Sequence, residues 1–97
     1  MPDSNNVAGY KNYKNVWLVS GIPTLIVPAV SRTYAEIFNE SLGFIRLGNP
    51  SGTVNATNGV GLFSGGYISD FWSSDEWWAF STLGGSGSVS AFWVEGL

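Results

Sequence analysis

The chain contains no cysteine and no histidine. The first absence excludes a disulfide frame and thiolate chemistry, and leaves the redox compartment unread. The second removes the commonest general base and the commonest metal ligand together. Charge is scarce as well: 11% of the 97 residues are Asp, Glu, Lys or Arg, against 44% apolar and 15% aromatic. That charge divides unevenly. Residues 1–46 hold Lys11, Lys14, Arg32 and Arg46 against Asp3, Glu36 and Glu40, a net of +1, whereas residues 47–97 hold four acids and no base. Without a basic patch to displace counterions, nucleic acid is excluded as the main ligand. No membrane partner is expected either. Val16 to Val30 follows Lys11 and Lys14 in the manner of a leader, but Pro23 and Pro28 interrupt it. Its fifteen residues are too few for a spanning helix, and it reads as two strands.

What is present fits one domain with a modest core and no large cleft. With so few charges, outward positions must be filled by Ser, Asn, Thr, Gly or aromatic residues. Such a surface suits a protein partly covered by partners.

The clearest periodicity lies between Arg32 and Leu62. Ala35 and Ile37 alternate with Tyr34, Glu36 and Phe38, and Ile45 and Leu47 alternate with Phe44 and Arg46. A period of two is what half-buried antiparallel strands require. The linker Asn39–Gly43 has the composition of a short hairpin connection, so residues 32–47 read as a hairpin from which a sheet grows outward. Further strands are expected at Val16–Ser20, Thr24–Val27, Leu62–Phe63, Tyr67–Trp72, Glu76–Ser81 and Ser88–Glu95, with Gly84–Gly87 as a hairpin loop. Pro28 makes the second of these short or places it at an edge. Seven or eight short strands with turns every 8–12 residues predict an all-β antiparallel β-sandwich, jelly-roll or Ig-like, over residues 16–97. Residues 1–15 are polar and without apolar period, and read as an extended N-terminal arm.

Asp70, Asp75 and Glu76 stand beside Trp72, Trp77 and Trp78, a grouping that a glycosidase could use as paired carboxylates with a sugar-stacking ring. A chain this small leaves no room for the cleft, so the acids read as a solvated turn. No catalytic residue, cofactor site or metal site is assigned. Gly59-Val60-Gly61 lacks the third glycine and the βαβ setting of a dinucleotide fingerprint. Asn39-Glu40-Ser41 and Asn55-Ala56-Thr57 match the glycosylation triplet, which eight Asn produce by chance. The candidate contacts are aromatic: Tyr10 and Tyr13 as anchors of the arm, and Trp72, Trp77 and Trp78 as interface or glycan contacts. Trp77 and Trp78, adjacent on a strand, must point to opposite faces. One fills the core; the other is covered by a partner or offers a sugar platform.

The order Arg32…Ile37-Phe38-Asn39, Ile45-Arg46-Leu47-Gly48, Asn58-Gly59-Val60-Gly61-Leu62, Gly65-Gly66, Trp78-Ala79-Phe80-Ser81, a Gly/Ser loop and Val89–Val94 resembles small β-sandwich virion proteins of tailed bacteriophages. That group includes head-decoration and fibre or appendage proteins. The resemblance covers residues 16–95 and consists of strand and turn positions, so no functional residue carries over from it. It implies a non-enzymatic structural role on the virion, foremost as a capsid decoration or cement protein. The implied partners are the major capsid protein or other virion proteins and further copies of the chain, a trimer being favoured. The alternative is a carbohydrate-binding module or fibre component contacting host glycans.

Overall fold

The computed structural model describes residues 10–48, 54–55, 57–71, 75–82 and 87–96. Among them are eight strands and no helix: β1 (Tyr10–Leu18), β2 (Thr24–Val27), β3 (Arg32–Asn39), β4 (Ile45–Gly48), β5 (Val60–Leu62), β6 (Tyr67–Asp70), β7 (Trp77–Ser81) and β8 (Gly87–Glu95). They form two antiparallel four-stranded sheets, ordered β1-β8-β3-β6 and β2-β7-β4-β5. The protein is an all-β sandwich.

Among these strands, only β4 and β5 are consecutive neighbours in one sheet; every other connection crosses from one sheet to the other. That is the connectivity of a jelly roll, two Greek keys folded together, and not the immunoglobulin order, in which several successive strands remain hydrogen-bonded neighbours. Two expected hairpins are thereby corrected. Arg32–Leu47 is not one, because β3 and β4 lie in different sheets, and β7 and β8 are likewise separated. Residues 83–86 of that second connection, and residues 49–53 between β4 and β5, lie outside the described residues. Turn composition marks where a chain bends but not which strand it bends toward.

The first strand begins at Tyr10, so Tyr10–Asn15 belongs to the sheet and not to an arm. Residues 1–9 lie outside the described residues. Asn12 and Lys14 hide the strand's period, because β1 is an edge strand and Lys14 stays exposed on its inward side. What holds the segment is the backbone ladder to β8, running from Tyr10 opposite Glu95 to Leu18 opposite Gly87. The Asn12 amide also donates to Glu95 Oε2 at 3.2 Å. β2 is short and lies at an edge, as Pro28 requires.

Between the sheets lies one core: Leu18, Ile26, Val27, Ala35, Ile37, Ile45, Leu47, Leu62, Ala79, Val89, Ala91 and Trp93, with Trp77 packed against it. Ile37, Ile45, Leu47 and Leu62 thus share a core with one tryptophan of the adjacent pair, as their alternating positions predict. A bulge in β2 between Leu25 and Val27 lets the consecutive Ile26 and Val27 both be buried.

Polar residues fix both ends of β3. A bulge between Arg32 and Tyr34 reverses the strand's alternation, turning Arg32 inward although Tyr34, Glu36 and Phe38 face out. Its guanidinium, fully buried, meets Asp70 Oδ2 at 3.2 Å and donates to the Asp75 carbonyl at 2.8 Å and the Pro28 carbonyl at 3.3 Å. At the other end Asn39, 1% exposed, donates to the Gly43 carbonyl at 2.8 Å and the Leu62 carbonyl at 2.9 Å. Its Oδ1 accepts from the Ser41 amide at 2.9 Å and the Ser41 hydroxyl at 2.6 Å.

Candidate functional site

The register of the first sheet determines what its outer face presents. Residues opposite one another across antiparallel strands share a face. Lys11, Val94 and Tyr34 form one row; Tyr13, Phe92, Glu36 and Ser69 the next; Asn15, Ser90, Phe38 and Tyr67 a third; Trp17 and Ser88 a fourth. Aromatic rings therefore rise from all four strands. Tyr13 and Phe92 lie 5.0 Å apart between centroids, Phe92 and Tyr34 6.3 Å, and Tyr34 and Phe71 4.8 Å. These four rings make a continuous band perpendicular to the strands, from β1 to the residue after β6. Phe38 and Tyr67 form a second pair at 5.4 Å. Tyr13 is 75% exposed, Trp17 66% and Phe71 62%. Open aromatic surface of this kind is where partners and ligands commonly dock on proteins.

Its charge is sparse. Among the described residues the face carries one base, Lys11, and one acid, Glu36. The Tyr34 hydroxyl donates to Glu36 Oε2 and lies 3.4 Å from Ser69 Oγ. The Glu36 carboxylate, which accepts this hydrogen bond from the phenol, raises the Tyr34 pKa above its usual value.

The outer face of the second sheet is aromatic too. Phe44 and Phe63 pack edge to face at 5.1 Å, and the Arg46 guanidinium lies 5.2 Å from the Phe44 centroid. Gly61 makes room for this arrangement: a Cβ there would stand 2.4 Å from Phe44 Cζ. Trp78, opposite Leu25 and Gly48, completes the face, its indole N–H donating to Glu76 Oε1 at 2.8 Å.

Of the candidate contacts chosen from sequence, Tyr13 stands in the aromatic band and Tyr10 opens the strand that carries it. Trp72 lies outside the described residues. Trp77 and Trp78 do divide between faces. Trp77 packs against the core with its indole N–H donating to Asp70 Oδ2 at 2.9 Å, so it belongs to the interior; Trp78 is half-buried on the outer face. Asp70 is not a surface acid of a solvated turn but the buried partner of Arg32. The three acids near the tryptophans thus form no open carboxylate pair: Asp70 is committed to Arg32 and Trp77, and Glu76 accepts from Trp78. Among the described residues no group of three or more His, Cys, Asp or Glu lies together.

Sequence reading missed Phe92, Tyr34, Phe71, Phe38, Tyr67 and Trp17 as members of the site. The signal was the aromatic share of outward positions on strands whose inward positions are aliphatic. Only the strand order brings those positions together. No family model, curated protein or solved structure matches the chain.

Proposed function

We propose that the chain is a non-enzymatic structural protein of a tailed-phage particle, a decoration or cement subunit that binds the capsid surface and its own neighbours. The observation that carries this reading is the presence of open aromatic surface on both outer faces of the sandwich. A subunit covered on two sides gains from such faces; an isolated soluble domain has no use for them. The resemblance of residues 16–95 to virion β-sandwich proteins supplies the particle. The jelly roll is shared by capsid and lectin domains and does not choose between them.

The second reading is a carbohydrate-binding module. The exposed rings of Tyr67 and Phe71, near Ser69 and Glu36, offer stacking faces with hydrogen-bonding groups beside them. Gold-labelled antibody against the chain, applied to virions from cells expressing the gene, separates the two. Label spread over heads agrees with decoration. Label confined to appendage tips, together with reproducible glycan-array binding lost in Tyr67→Ala, transfers the assignment to the second reading. Particles without label refute the virion role.

A further inference from the structure

We infer that the outer face of the β1-β8-β3-β6 sheet binds a second copy of this chain, sheet against sheet about a two-fold axis. The inference goes beyond the virion role and stands on the face itself. Two routes of association compete in a β-sandwich: addition of a strand to an open edge, and stacking of faces. The four edges here are all poor templates. β1 is long, but Lys14 sits opposite Ala91 on the inward side of the sheet, and an inward-pointing charge on an edge strand opposes strand addition. β2 carries a bulge and is followed by Pro28; β5 has three residues and β6 four. Association is left to the faces.

The size of this face suits a copy of itself. Four strands spaced ~4.8 Å apart, with two to four outward residues along each, give roughly 400 Å² in projection, and the relief of the rings adds to it. Two copies would together remove about 1,000 Å² or somewhat more from water, the lower end of specific interfaces. A large shell protein is under no such limit, whereas a partner of the same footprint matches it edge for edge.

Charge gives the symmetry. Among the described residues the face bears one base at a corner of the sheet, Lys11 on β1, and one acid near its centre, Glu36 on β3, separated by the intervening β8. A two-fold axis passing over β8 between Phe92 and Val94 brings Lys11 of each copy to Glu36 of the other. Both charges are then met by one operation, and the Tyr13–Phe92 ends of the two aromatic bands meet across the axis. An isologous contact is self-complementary in this way, while a trimer would leave the pairing to a heterologous surface. A pair of copies therefore takes the place of the trimer that the resemblance favours.

Light scattering of the purified chain across roughly 1 to 100 μM should show the mass rising from one chain of 10.4 kDa to two. Lys11→Glu and Glu36→Lys should each weaken self-association about tenfold, because each places like charges opposite one another twice. Mixing the two variants should restore pairing to near the wild-type level, since every contact in the mixed pair is again opposite in sign. Circular dichroism melts of each variant confirm folding, and Tyr13→Ser, at an exposed ring, should weaken pairing without lowering the melt. A chain that stays single up to 100 μM, a trimer, or a mixture that pairs no better than its components overturns the inference. A single chain that still labels phage heads would sink the pairing alone and leave the virion role standing.

Discussion

The side-chain amide of Asn39 donates to the main-chain carbonyl of Leu62 across 2.9 Å, joining the end of β3 in one sheet to the end of β5 in the other. The same side chain holds the crossover that follows β3, through Gly43 and Ser41. Two neighbouring main-chain bonds, Asn39 N–H to the Gly66 carbonyl at 2.9 Å and Gly65 N–H to the Asn39 carbonyl at 2.8 Å, add the turn before β6 to the same knot.

Asn39→Ala takes the side-chain partner from the buried Leu62 carbonyl and the buried Ser41 main-chain N–H, while the Gly43 carbonyl keeps the Ser41 hydroxyl at 3.2 Å. Each orphaned group costs about 1–3 kcal/mol, so the loss should reach roughly 3 kcal/mol or more in a urea melt. Asn39→Asp, which keeps the acceptor but not the donor, should recover part of it. A loss under about 1 kcal/mol for the alanine variant would show that water replaces the amide.

Arg32 and Asp70 make the opposite clamp. Removing one partner strands a buried charge, so Asp70→Asn or Arg32→Met should cost about 3–5 kcal/mol, and replacing both should cost less than the two single losses added together. Because the Trp77 indole donates to the same Asp70 oxygen, Asp70→Ala should also change the tryptophan emission of the folded protein. Additive losses in the double-mutant cycle would mean that the pair is uncoupled.

The strands were legible in the sequence, and the sheets were not. Alternation fixes which side chains of 34–38 and 45–47 face in, because that is a property of each strand alone. Sheet membership depends on partners far apart in the chain, as when Tyr10 pairs with Glu95. Asn39 illustrates the difference: its composition suits a hairpin turn, yet its side chain satisfies a crossover. Arg32 shows a second kind of blindness, since the bulge at Thr33 inverts the face that simple alternation assigns it. The candidate site suffered most. Its band draws one ring from each of four segments, and Tyr13 was found only because it lies beside Tyr10 in a polar stretch.

Glu36 sets the ionisation of Tyr34. With the carboxylate as its hydrogen-bond acceptor the phenol holds its proton above the usual range, so Glu36→Gln should shift the Tyr34 transition to lower pH. The contribution of Tyr34 is read as the difference between the 295 nm absorbance titrations of each protein and of its Tyr34→Phe counterpart. An unchanged transition would show that the carboxylate does not hold the phenol in solution.

Truncation tests the place of the first strand. Deleting residues 1–9 should leave the melting temperature within a few degrees, whereas deleting residues 1–14 removes half of the β1 ladder and exposes Phe92 and Ala91. That second deletion should lower stability by several kcal/mol at the level of a lost edge strand. Equal melts for the two truncations would place residues 10–14 outside the folded sheet.

β8 runs between β1 and β3 and is hydrogen-bonded to both. During synthesis the two flanking strands emerge long before it, and neither can pair with the other in its absence. The first sheet must therefore wait, its apolar inner positions on β1 and β3 uncovered, until residues 87–95 have left the ribosome. A nascent chain stalled before that point holds half a sandwich with two open seams, which makes the last strand the step that commits the protein to its shape and the interval before it the one in which a chaperone has most to do.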